Sequence, residues 1–302
     1  MDLLALHEQN VFHLHLTEDQ GWRLQIDRYP ELTAVGAWRD DGDGARYGGS
    51  YSRAEALDVV GFRDRVAWPR AGGADRLPTS GLHRRPLRSH AGVGVFDDVI
   101  CVGNDEAIGF LEVVFDEVLD IFPSPFIHVG GDECPKVRWK ECPRCQARMQ
   151  QEGMADEDAL QSWTIRHFDR YLADRGRRLV GWDEILEGGL APGATVMSWR
   201  GVAGGLAASR AGHDVVMSPQ THVYLDYKHY EGADEPGRLG VSSLENCYGS
   251  DPTIPEMTRP ATYSACRPTS GRKASTHPPL FSPGGKARCD GCPLLPGPCD
   301  LG

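Results

Sequence analysis

Five short apolar runs alternate with stretches of helical period, and this alternation confines the chain to a parallel α/β architecture. The runs lie at Val11 to Leu16, Phe126 to Val129, Arg178 to Trp182, Thr195 to Ser198 and Asp214 to Ser218. Between them, Asn104 is placed to cap a helix whose first turn carries Asp105 and Glu106. Ile108, Leu111, Phe115, Val118 and Leu119 give that helix one apolar face. A further stripe of Leu160, Ile165, Phe168, Tyr171 and Leu172 predicts a second helix, with Gly176 as its stop. The strands end in polar or aromatic residues: Thr17 to Trp22, Gly130 to Glu133, Trp182 to Glu184 and Ser198 to Arg200. Chemistry at the C-terminal ends of successive parallel strands is the arrangement of a (β/α)8 barrel. A doubly wound sheet places its site similarly, so the period alone does not decide between them.

One strand end stands out. The run Ser124 to Val129 passes through Gly130 and Gly131 into adjacent carboxylates, Asp132 and Glu133. Neighbouring side chains on a regular strand point to opposite faces. Two glycines let the backbone leave that geometry, so both acids can face one cleft. Each carboxylate disfavours charge on the other, so one can stay a proton donor while its partner stays anionic. That division suits cleavage of a glycosidic bond; the competing reading is a solvated acidic turn.

A formal charge of -11 argues against nucleic acid as a partner. No apolar stretch approaches the ~20 residues of a membrane span, and no signal peptide is legible at Met1 to His7. Localisation stays open. Among nine cysteines, Cys134, Cys142 and Cys145 are grouped after the acid pair. Three potential ligands fall short of a four-ligand zinc site, so the expectation is reduced or locally paired thiols and no metal. Two segments break the α/β pattern. Residues 61 to 92 carry Arg63, Arg65, Arg70, Arg76, Arg84, Arg85 and Arg88 without lysine or sustained apolar period, and residues 259 to 302 are rich in Pro, Gly, Ser and Cys. The expectation is a long loop and a disordered tail, although loops of this length are uncommon in compact domains.

Taken in order, several texts resemble the β-N-acetylhexosaminidases of glycoside hydrolase family 20. They are Asn10 to Arg23, Gly36 to Arg39, Val95 to Asp98, His128 to Pro135, Gly181 to Ile185, Met197 to Gly201, and Tyr224-Leu225-Asp226. The resemblance implies a (β/α)8 barrel over residues 1 to 258, with the anomalous insert at about 61 to 92. It implies removal of terminal N-acetylglucosamine or N-acetylgalactosamine from glycans by a substrate-assisted route, an exception to the two-carboxylate scheme. By the same resemblance Glu133 is the general acid and Asp132 orients the 2-acetamido group. Tyr224 bonds the acetamido oxygen, Asp226 holds sugar hydroxyls, and Asp19 positions the acid machinery. Trp182 and Trp199 wall the acetamido pocket, with Trp163 a weaker candidate. No metal or cofactor is implied, and His128 is expected to be structural.

Each assignment has a competitor. The tryptophans can be core, and Asp19 can be a turn residue beside Gln20 and Gly21. Asp183 and Glu184 can cap or pair; a nucleophilic Glu184 would instead make a retaining glycosidase indifferent to the acetamido group. The resemblance expects a first strand before Met1, and third and eighth strands where residues 61 to 92 and 259 to 302 stand, so the barrel is read as incomplete. The expected origin is a compensated frameshift in the first segment and an uncompensated one near Arg259. Translating the gene in its other two frames checks that origin directly. The alternative to an enzyme is then an inactive sugar-binding or misfolded fragment.

Overall fold

The structure, a computed structural model, describes residues 11–18, 21–40, 46–65, 71–74, 99–134, 136–224, 226–232, 234–235, 238–250, 254–257 and 262–263. The described residues divide into two compact units, one within Leu14–Val196 and the other formed from Met1–His13 and Met197–Gly302.

The unit within Leu14–Val196 is built on a parallel pair, Phe126–His128 and Arg178–Trp182. Phe126 is in register with Arg178, Ile127 with Leu179, and His128 with Val180. A parallel pair needs a crossover, and helices Val137–Glu141, Pro143–Glu152 and Glu157–Ala173 supply it. The long Asp105–Ile121 helix precedes the pair, capped by the Asn104 side chain, which accepts from the Glu106 N–H at 3.3 Å. Its buried face includes Ile108, Leu111, Phe115 and Val118, as the periodicity predicts, whereas Leu119 is only half-buried. Phe115 meets Phe168 of the Glu157–Ala173 helix with ring centroids 5.2 Å apart. Around this contact Ile127, Leu160, Leu172 and Leu179 are fully buried. Burial of four such aliphatic side chains stabilises the unit by ~1.5–3 kcal/mol each before chain entropy is counted. In the N-terminal part of the unit, Thr17 pairs with Trp22 and Glu18 with Gly21 in an antiparallel hairpin. Trp38–Asp40 pairs with Arg46–Gly48 in another.

In the second unit, Val216 and Met217 pair in parallel with Thr262 and Tyr263. Ser218 donates to the Ser198 carbonyl at 2.9 Å, tying the next strand end into the same layer. The Ala203–Arg210 helix returns the chain between these strands, and Gly205 permits its close approach: a Cβ there would sit 2.5 Å from the Met217 sulfur. Strand, helix, strand in parallel is the repeating element of a barrel.

Residues 61–65 complete the Arg53–Arg65 helix and Ala71–Ala74 form a short strand. The rest of the insert at 61 to 92 lies outside the described residues, as does the tail from 259 apart from Thr262–Tyr263. Among the described residues no helix is long and apolar enough to cross a membrane.

Candidate active site

The chain leaves the Phe126–His128 strand through a left-handed turn. Gly130 has φ +74°, Gly131 φ +96° and Glu133 φ +46°. Among the described residues Glu133 is the single non-glycine residue with positive φ. A side chain held there costs ~1–3 kcal/mol, and such outliers gather at functional sites. The two glycines take the backbone out of strand geometry at the strand end, and the positive φ outside glycine falls on the residue that carries the second acid.

The turn is held from several sides. Trp182 donates its backbone N–H to the Gly130 carbonyl at 2.9 Å, so the end of the neighbouring strand lies beside the acid pair. Gly130 donates to His128 Nδ1 at 3.0 Å, which makes that nitrogen an acceptor and fits the structural role expected of His128. The Trp182 ring packs edge-on against His128 at 4.7 Å and is 3% exposed. From the Glu157–Ala173 helix, Gln161 Nε2 donates to the Gly131 carbonyl at 2.8 Å. Asp132 is half-buried and Glu133 is exposed to solvent. Just beyond the turn, Lys136 Nζ bridges Asp158 at 2.6 Å and Glu187 at 2.7 Å. Burial pulls the Lys136 ammonium down, yet the two carboxylates outweigh it and hold its pKa above the ordinary value. Desolvation pushes the neighbouring Cys134 thiol up to about 12 against the opposing pull of Lys136, so it stands there as a neutral group.

Gly131 cannot be replaced cheaply. A Cβ at this φ would lie 2.7 Å from Ile185 Cγ2, and Ile185 is 1% exposed. Gly131→Ala is expected to lower unfolding free energy by about 1–3 kcal/mol, read from a urea denaturation midpoint. An unchanged midpoint would refute the tight turn.

The remaining sequence-predicted residues fall in different places. Asp183 and Glu184 are buried in the 3-10 turn that follows the Arg178–Trp182 strand. Trp163 lies on the Glu157–Ala173 helix, where Arg148 stacks over its ring at 4.8 Å and His167 lies parallel at 5.8 Å. Asp19 lies outside the described residues. In the second unit Trp199 and Tyr224 stack at 6.3 Å with their planes 15° apart, and Tyr224 meets Tyr227 edge-on at 5.8 Å. Gln220 fixes this cluster by donating its N–H to the Trp199 carbonyl and accepting from the Tyr227 hydroxyl. Asp226 Oδ1 is buried without a hydrogen-bond partner among the described residues. A buried acceptor without a donor is costly, and a hydroxyl-bearing ligand relieves that cost. Sequence reasoning missed Gln161 and Lys136. A polar residue inside an apolar helical stripe was the available signal for Gln161; nothing comparable marked Lys136.

Comparison with known proteins matches residues 1–66 and 73–275 to "Glycosyl hydrolase family 20, catalytic domain". The chain is 44% identical over 271 residues to a beta-hexosaminidase of Porphyromonas gingivalis, covering 85% of this chain and 35% of the relative. It is 33% identical to a beta-hexosaminidase of Vibrio furnissii, covering 83% and 45%. Among solved structures it resembles a family 20 exo β-N-acetylglucosaminidase from Vibrio harveyi in complex with N-acetylglucosamine. There the TM-score is 0.73 at 30% identity, over 83% of this chain and 43% of that one. The chain thus spans between about a third and a half of these relatives' length. Its fold class is the (β/α)8 barrel of these enzymes, in incomplete form. With its acid pair inside the matched region, the chain belongs to glycosyl hydrolase family 20.

Proposed function

We propose that this chain carries the machinery of an exo-acting β-N-acetylhexosaminidase that uses the substrate's own acetamido group as nucleophile. The observation that carries the reading is the left-handed turn of Gly130, Gly131 and Glu133, which projects two adjacent acids from a parallel strand end. Glu133 protonates the glycosidic oxygen as the acetamido carbonyl oxygen attacks the anomeric carbon and the leaving alcohol departs. Asp132 accepts from the acetamido N–H and stabilises the positive charge of the cyclic intermediate. The Glu133 carboxylate then takes a proton from water, which opens that intermediate and returns the acid.

The other residues bind. By resemblance to the family, Tyr224 is assigned to the acetamido oxygen, and Trp182 and Trp199 are each assigned to the acetamido group. The unpartnered Asp226 oxygen supports a role in accepting from sugar hydroxyls. Asp19 positions the acid, and Trp163 is a further sugar-facing candidate. Substrates are glycans ending in N-acetylglucosamine or N-acetylgalactosamine; no metal, cofactor or nucleic acid enters this reaction. The domain reading is a barrel over residues 1 to 258 that contains the insert at about 61 to 92, followed by the tail from 259, of which Thr262–Tyr263 pair with the strand at Val216 and Met217.

The test compares an aryl N-acetyl-β-glucosaminide with the matching aryl β-glucoside. The expected result is release from the first alone. Equal release from both would overturn the substrate-assisted reading in favour of an enzyme nucleophile such as Glu184.

A further inference from the structure

Three thiols converge where the loop before the Asp105–Ile121 helix meets the chain that follows the acid pair in sequence. Cys101 Sγ lies 3.4 Å from Cys142 Sγ and 3.8 Å from Cys145 Sγ. All three sulfurs fall within 4.8 Å of one another, with Cys101 and Cys145 buried and Cys142 half-buried. Cys134, which the sequence groups with the C-x-x-C pair, lies instead beside Lys136, Asp158 and Glu187. Cys101 joins through the fold: it precedes the Asp105–Ile121 helix and reaches a pair more than forty positions later.

We propose that Cys101, Cys142 and Cys145 form a binding site for one zinc(II) ion, with water as the fourth ligand. Zinc bound to thiolates at about 2.3 Å in a tetrahedron sets its sulfurs about 3.8 Å apart. The Cys101–Cys145 separation of 3.8 Å matches that edge and the Cys101–Cys142 separation of 3.4 Å is somewhat shorter, whereas a disulfide needs about 2.05 Å and leaves one of three sulfurs over. Burial pushes the Cys101 and Cys145 thiols up, so metal binding has to displace their protons. Cys142 stands at the N-cap position of the Pro143–Glu152 helix, whose N-terminal dipole favours negative charge. Gly103 is required for the approach: a Cβ there would sit 2.3 Å from the Arg144 carbonyl. Binding releases three thiol protons to solvent and leaves one net negative charge on the ion and its ligands. The half-buried side at Cys142 gives the water its place.

The ion fastens the loop before the Asp105–Ile121 helix to the segment that follows the acid pair. Trp139 Nε1, donating to the Ile100 carbonyl at 2.9 Å, already joins the same two pieces. The site is structural and stands apart from the sugar chemistry, so its failure leaves the proposed hydrolase untouched.

The test titrates the full reduced chain with cobalt(II), then with zinc(II). One equivalent of cobalt is expected to give thiolate-to-metal charge-transfer absorption that zinc abolishes. Cys101→Ser, Cys142→Ser and Cys145→Ser each remove it, and Gly103→Ala weakens it; Cys134→Ser leaves it intact. Should the serine variants fold poorly, X-ray absorption of the zinc-loaded parent chain decides, with three sulfur neighbours and one lighter neighbour expected. No charge-transfer band in the reduced parent, a band that survives Cys101→Ser, or any other sulfur count overturns the site. A Cys101–Cys142 disulfide that persists in the reduced, metal-treated chain does the same.

Discussion

Glu133→Gln is expected to lower kcat/KM by about 10²–10⁴-fold on substrates whose leaving alcohol is a sugar. An amide keeps the size of the carboxyl and can occupy the same backbone conformation, φ +46°, so the turn survives the change. What is lost is a transferable proton. An unactivated alcohol cannot leave as an alkoxide at neutral pH, so bond cleavage slows most where protonation matters most. With an aryl leaving group of low basicity the first step is less affected, and water attack, which needs the Glu133 carboxylate as base, becomes limiting. Added azide, a nucleophile needing no base, is then expected to restore turnover and to give the β-glycosyl azide. The measurement is initial rate against leaving-group basicity, with circular dichroism as the control for folding. Rates equal to the parent across that series would refute the role of Glu133, and rates at background in both proteins would leave the inactive-fragment alternative standing.

That the acid pair was legible while its conformation was not follows from what each depends on. Gly130 and Gly131 signal departure from the strand, but the positive φ of Glu133 is imposed by bonds from elsewhere, including Trp182 N–H to Gly130 and Gln161 to Gly131. The buried strands Arg178–Trp182 and Thr195–Ser198 have the bounds their apolar runs predict, because parallel strands covered on both faces read as continuous apolar text. The run from Val11 to Leu16 yields a shorter strand, Phe12–Leu14. Helices Val137–Glu141 and Pro143–Glu152 bury only Trp139, Cys145 and Met149, too few to print a periodic face. The Glu157–Ala173 helix shows the converse. Its stripe is legible, yet Gln161, Ser162 and Asp169 are also buried because they bond backbone groups at Gly131, Gly189 and Gly193. Tyr171 belongs to the predicted stripe, yet its hydroxyl donates to Asp116 and to the Glu112 carbonyl. Cys101 could not be found by spacing, since only the tertiary fold brings it to Cys142.

Asp132→Asn is the complementary case, expected to lower kcat by about 10²–10³-fold, or ~2.7–4 kcal/mol of barrier. Asparagine matches the volume of aspartate and retains a carbonyl acceptor, so the acetamido N–H still finds a partner and KM moves little. The missing component is the negative charge. As the acetamido oxygen attacks, positive charge builds on its carbon and nitrogen, and a half-buried carboxylate stabilises that charge far better than a neutral amide. This loss differs from that at Glu133 in a measurable way. In the proposed reaction the proton delivered to the leaving oxygen comes from Glu133, so the rate deficit of Asp132→Asn is expected to be the same for basic and non-basic leaving groups. It should instead respond to the nucleophile. Replacing acetamido hydrogens by fluorine makes the carbonyl oxygen less nucleophilic, and the steep decline this causes in the parent becomes steeper in the variant, which offers the developing cation no countercharge. Rates plotted against fluorine number for the two proteins give the comparison. Parallel lines would place Asp132 outside the acetamido chemistry, whereas diverging lines with an unchanged leaving-group dependence assign the two neighbouring acids to opposite ends of the reacting system.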